Sequence, residues 1–199
     1  RASGRRVAPV DLAEPKRKEA NNYFSEGRYR EALATYTGAL DLLEKYEPSD
    51  EPSAASSSGS PAGAGVDGGG GAADKAGDET EAKRLKTTLL ANRAAALLKL
   101  EEWREVIGDC TEALRFDPQH AKATLRRGFA FARLKVWGKA ARDLELAVAW
   151  DPGDKKAKAE LQMARRMLQE QAREARDRAR RVMLDPTRQT TMPTRRLVV

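Results

Sequence analysis

The chain has 199 residues, of which 40% are hydrophobic, 6% aromatic and 34% charged, with a net charge of +7 from 37 basic and 30 acidic side chains. That length suggests one domain with appendages, long enough to bury a core, and no stretch approaches the roughly 20 apolar residues of a membrane span. A single cysteine, Cys110, and a single histidine, His120, exclude an internal disulfide framework and a multi-cysteine zinc site. They also leave little for metal or nucleophilic chemistry, so the chain reads as a binding protein with no metal and no cofactor rather than as an enzyme.

Residues 1–11 form an Arg-rich N-terminal extension, too short to read as a targeting signal. Arg1 in place of Met reads as the start of a fragment or a processed chain. Residues 12–46 carry a helical pattern, which breaks at residues 47–78. Over residues 48–77, 24 of 30 positions are Gly, Ala, Ser or Pro, and Val66 is the only large aliphatic side chain. Such a segment cannot bury enough apolar surface to offset its ordering entropy, so it is expected to be a disordered insertion. Loop closure costs grow only logarithmically with length, which makes the insertion tolerable.

The helical signal returns over 79–119 and again over 120–153, and the two segments repeat at an offset of 34. Ala94 meets Gly128, Leu97 meets Phe131, Trp103 meets Trp137, Cys110 meets Leu144, and Asp117-Pro118 meets Asp151-Pro152. The first segment matches at an offset of 74, with Ala20, Tyr23, Tyr29 and Tyr36 at the positions of Ala94, Leu97, Trp103 and Cys110. Each unit reads as a helix, a short turn and a second helix, with Asp-Pro closing the second and third units because proline cannot continue a helix. Small residues at 20, 94 and 128 let paired helices approach closely, and Tyr36, Cys110 and Leu144 fill space towards the next unit. Cys110 is thus expected to be a small buried hydrophobe, and His120 an exposed turn residue.

Residues 154–184 read as a basic helix that covers the last pair. Asp154 is its expected N-cap, and Ala157, Leu161, Ala164 and Leu168 recur at helical spacing. Ten Lys or Arg against four acids in residues 155–181 hold most of the net charge. Asp185-Pro186 ends it, and residues 185–199 read as a flexible tail.

A 34-residue period with this pattern resembles the tetratricopeptide repeat (TPR). The resemblance implies an all-α fold of three stacked helix pairs in a right-handed superhelix, with the first helix of each pair lining a concave groove, plus the long C-terminal capping helix. On those first helices stand Arg17 and Asn21, then Asn92, then Lys122 and Arg126. Their cations and amides suit a ligand carrying two or more carboxylates. The set resembles the dicarboxylate clamp of co-chaperone TPR domains, in which the pattern runs Lys-x-x-Gly-Asn, Asn, Lys-x-x-x-Arg. This chain has Arg17 in place of Lys and Ala20 in place of Gly.

The resemblance implies a cytoplasmic adaptor that binds the C-terminal Glu-Glu-Val-Asp peptide of heat-shock chaperones through Arg17, Asn21, Asn92, Lys122 and Arg126. A different reading has Asn92 and Arg93 recurring for packing, with the exposed cations merely solvating their helices. Further alternatives are a mitochondrial outer-membrane import receptor and a scaffold for assembling large complexes such as axonemal dynein. The basic terminal helix offers a second partner site. Nucleic acid fits it poorly, because acids are interleaved and no stacking aromatics accompany the cations.

Overall fold

The computed structural model describes residues 9–44 and 71–184, with side chains from residue 80 onward in the second stretch. Among these residues all regular structure is helical: α1 (Pro9–Ser25), α2 (Tyr29–Glu44), α3 (Gly71–Lys99), α4 (Trp103–Phe116), α5 (Ala121–Arg133), α6 (Trp137–Trp150) and α7 (Lys155–Leu184). Helices pair as α1–α2, α3–α4 and α5–α6, and each pair packs on the next. The odd-numbered helices also touch one another in order, α1–α3–α5–α7, and so form one wall of a solenoid.

The turn inside each pair is built the same way three times. Residues 27, 101 and 135 take positive φ, as Gly27 (78°), Glu101 (62°) and Lys135 (60°). The next amide in each case reaches back five residues: Arg28 N–H to Tyr23 C=O (2.9 Å), Glu102 to Leu97 (3.0 Å) and Val136 to Phe131 (2.9 Å). This left-handed cap satisfies the last carbonyls of the first helix and starts the second immediately.

Between the helices of a pair, size complementarity sets the approach. Ala20 and Ala94 are fully buried, while at 128 a methyl group would press on its neighbours. A Cβ there would lie 3.0 Å from Leu144 Cγ and 3.3 Å from Asp143 Cβ. The repeat that has Leu144 where its neighbour has Cys110 therefore has glycine where its neighbour has Ala94. One apolar core runs through the first two pairs into α5, and a second joins Trp137, Ala140 and Leu144 to Leu161 and Ala164 of α7.

Four boundaries and placements differ from the sequence reading. Helix α1 starts at Pro9, which is buried, so the extension ends before residue 9 rather than at 11. Helix α3 starts at Gly71, inside the segment assigned by composition to the insertion. Ala72, Ala73, Ala76 and Glu79 are good helix formers, and a helix already fixed by its packed part extends at little cost. His120 is half-buried and caps α5, its Nδ1 accepting from Ala123 N–H at 3.2 Å. Leu168 is 41% exposed, because α5 and α6 span only 13 and 14 residues and cannot cover a 30-residue helix. The first half of α7 is as expected. Asp154 accepts from the amides of Lys156 and Ala157 at 2.9 Å each, and Ala157, Leu161 and Ala164 are buried. The rest of the expected insertion, residues 47–70, and the expected tail, residues 185–199, lie outside the described residues.

Candidate functional site

The groove wall of α1, α3 and α5 brings three of the five expected residues to one place. Asn21, Asn92 and Arg126, with Tyr36, Phe24 and Ala95, line a hollow of about 140 Å³. Its floor is a hydrogen-bonded trio. The Tyr36 hydroxyl donates to Asn21 Oδ1 at 2.6 Å, and Asn92 Nδ2 donates to the same oxygen at 3.3 Å. The Asn21 carbonyl is thereby saturated, and its amide N–H groups have no partner among the described residues. A donor left open in this way suits an acceptor ligand.

Arg126 supplies the charge. Its Nη1 donates to the Ala91 carbonyl at 2.6 Å, which fixes the guanidinium against α3. Burial pulls its pKa below the ordinary arginine value, and no carboxylate pairs with it among the described residues. Its sequence neighbour behaves in the opposite way. Arg127 grips Asp143 through Nε (2.7 Å) and Nη2 (3.0 Å), and Nη1 reaches Thr111 Oγ1 at 3.4 Å. Thirty-four residues earlier, Arg93 grips Asp109 through Nε (2.8 Å) and Nη2 (2.7 Å) and reaches Thr37 Oγ1 at 3.3 Å. Those arginines clip the second and third helix pairs together, and each leans on the preceding pair. The positions just before them, Asn92 and Arg126, face the groove.

The other two expected residues stand apart from the hollow. Arg17 pairs with Glu14 one turn earlier on α1, with Nε at 2.8 Å and Nη2 at 2.5 Å. That contact raises Arg17's pKa and lowers Glu14's. Arg17 lines a neighbouring hollow of about 720 Å³ with Glu14, Arg84 and Thr88. It nevertheless stays within electrostatic reach of Tyr36: burial pushes the Tyr36 hydroxyl up, while Arg126 and Arg17 pull it down. Lys122 is exposed on the first turn of α5, four residues before Arg126, and has no ion-pair partner among the described residues.

Sequence reasoning missed Tyr36, Glu14 and the aspartate partners of the two arginine clips, although one reading already has Arg93 recurring for packing. The sequence reading has Tyr36 filling space towards the next unit, yet a buried hydroxyl where the other repeats have Cys110 and Leu144 demands a partner. Glu14 was legible as an i,i+3 partner of Arg17. The clips were legible as the recurrence of both Arg93 at 127 and Asp109 at 143.

No family model matches the chain. The mitochondrial import receptor subunit TOM70 of Rattus norvegicus is 27% identical over 124 residues, 62% of this chain and 15% of the receptor. The Hsp70/Hsp90 co-chaperone CNS1 of Saccharomyces cerevisiae is 34% identical over 123 residues, 62% of this chain and 23% of the co-chaperone. The chain thus spans a minor part of these relatives. Among solved structures, the C-terminal TPR domain of a putative Plasmodium falciparum FK506-binding protein superposes with a TM-score of 0.66 at 18% identity, covering 83% of this chain and 93% of that one. The second TPR domain of human RPAP3, solved in complex with the HSP70 peptide SGPTIEEVD, superposes with a TM-score of 0.54 at 26% identity over 79% of this chain and 98% of that one. The fold is a TPR solenoid, and its relatives and structural neighbours are TPR proteins, co-chaperones among them.

Proposed function

We propose that the chain is a co-chaperone-type adaptor whose groove binds the acidic C-terminal peptide of heat-shock chaperones, and that it works in the cytoplasm. The observation that carries this reading is Arg126, a cation largely withdrawn from water with no carboxylate partner among the described residues. Burying such a charge unpaired is costly, and a ligand carboxylate seated on it offsets that cost. Asn21 and Asn92 donate N–H groups to the same anion. Tyr36 holds the Asn21 carbonyl, so that the amide presents nitrogen rather than oxygen to the ligand. Lys122, four residues before Arg126, supplies a second, exposed cation for a second carboxylate, and Arg17 completes the set on the α1 side. The likeness to the second TPR domain of human RPAP3, solved in complex with the HSP70 peptide SGPTIEEVD, supports the ligand class.

The test is fluorescence anisotropy with a labelled peptide ending in Glu-Glu-Val-Asp. Charge-assisted bonds are worth about 1.5–3 kcal/mol each, so Arg126→Ala is expected to weaken binding by roughly tenfold or more. Asn92→Ala and Lys122→Ala are expected to act in the same direction. Exposed cations elsewhere, such as Arg115, are expected to change affinity less than twofold. Unchanged affinity on Arg126→Ala and Lys122→Ala contradicts the reading.

A further inference from the structure

Arg17 is the one cation expected at the site that already holds a carboxylate. Glu14 lies three residues earlier on the same face of α1 and takes both Nε and Nη2 of the guanidinium. This is the two-pronged geometry with which arginine binds a free carboxylate. Both partners line the larger of the two hollows. Arg17 and Thr88 line the larger one, and Asn21 and Asn92, each one helical turn further along α1 and α3, line the smaller. Arg17 is thus turned towards its own helix's acid and does not line the smaller hollow, although its charge is still felt at Tyr36. Neither partner is fully exposed: the side chains retain 24% and 35% of their accessible surface.

We infer that Glu14 is a resident competitor, an intramolecular carboxylate that occupies Arg17 in the free protein and must be displaced when an acidic ligand takes all the cations of the groove. The inference rests on the groove being the carboxylate site proposed above. It makes Glu14, which the clamp pattern does not include, a residue that sets affinity. An ion pair this close to solvent contributes modestly, so the effect is graded and not all-or-none. It also explains why an arginine suits this position. A guanidinium can exchange one two-pronged carboxylate for another, whereas a lysine ammonium holds either acid only as a point charge.

The experiment compares wild type with Glu14→Gln, Arg17→Ala and the double variant. The readouts are anisotropy with a Glu-Glu-Val-Asp peptide acid and carbon-detected NMR of the Glu14 carboxyl. Glu14→Gln keeps helix propensity and side-chain size and is expected to tighten binding two- to fivefold. In the Arg17→Ala background the same change is expected to do nothing. In wild type, saturation with peptide is expected to move the Glu14 carboxyl titration up towards the ordinary glutamate range as its partner leaves. Unchanged or weaker binding on Glu14→Gln, or a Glu14 titration indifferent to saturating peptide, overturns the inference. Arg126→Ala run alongside separates the two claims. If it abolishes binding while Glu14→Gln is silent, only the competitor fails. If it too is silent, the groove is not the carboxylate site.

Discussion

Arg126, half-buried, and Cys110, fully buried, lie close enough for each to feel the other's charge, and burial acts on both in the direction of neutrality. For Cys110 it pushes the thiol up to about 12, against about 8.5 in an unfolded chain. Between those values the unfolded state loses its proton and the folded state keeps it. The folded state therefore binds more protons there, and stability falls as pH rises through that window; below about pH 8.5 the thiol contributes no pH dependence. Urea unfolding at pH 8 and pH 10 is expected to show wild type losing about 2 kcal/mol more than Cys110→Ala over that interval. Parallel losses in the two proteins contradict a neutral buried thiol. The burial of Cys110 was legible because its counterparts in the aligned repeats are Tyr36 and Leu144. The hydroxyl chemistry of Tyr36 was not, because alignment by size treats it as an apolar filler. The groove positions of Asn92 and Arg126 were legible from their 34-residue offset. What ties up the neighbouring arginines was not, since that depends on Asp109 and Asp143 reaching Arg93 and Arg127 across the pair.

Helix ends carry the next set of consequences. The positive-φ position of the intra-repeat turn is glycine once, at 27, and a residue with a Cβ twice, at Glu101 and Lys135. A left-handed conformation costs a non-glycine residue about 1–2 kcal/mol, while glycine adds back chain entropy in the unfolded state. Lys135→Gly and Glu101→Gly are each expected to raise stability by about 0.5–1 kcal/mol, seen as a rise of a few degrees in melting temperature. A fall in melting temperature would show that the side chains do more in the folded state than their exposure suggests. At the other end of the array, α7 covers Trp137, Ala140 and Leu144 with Leu161 and Ala164, and among the described residues every side chain beyond Met167 is exposed. Truncation after Gln171 is expected to leave cooperative unfolding intact, whereas truncation after Gly153 exposes the second core and is expected to bring aggregation or loss of cooperativity. A soluble, cooperatively folded product of the shorter truncation contradicts the capping role. Periodicity revealed that α7 exists and where it starts, but how far it is covered depends on the lengths of α5 and α6. The start of α3 was illegible for a related reason. Alanine is equally at home in a loop and in a helix, and composition cannot register that a packed helix downstream extends into it.

For the whole molecule, charge and fold divide the work. Six of the seven net positive charges fall in residues 155–181, so the overall basicity belongs to α7 and not to the groove. The carboxylate site proposed for the groove calls only on Arg126, Lys122 and, once Glu14 is displaced as inferred, Arg17. Among the described residues no helix is long and apolar enough to cross a membrane. Long-range attraction from the basic surface is expected to speed encounter with an acidic peptide and to fade with salt, but specificity for a chain terminus has to come from the hollow itself. The most direct measurement is therefore a titration of the unmodified protein with two peptides alike in every residue and ending in Glu-Glu-Val-Asp. One carries the free C-terminal carboxylate and the other its amide. Binding of the acid at least tenfold more tightly than the amide, with the difference persisting at high salt, is the result expected of a carboxylate held by Arg126, Asn21 and Asn92. Equal affinity for acid and amide would contradict it.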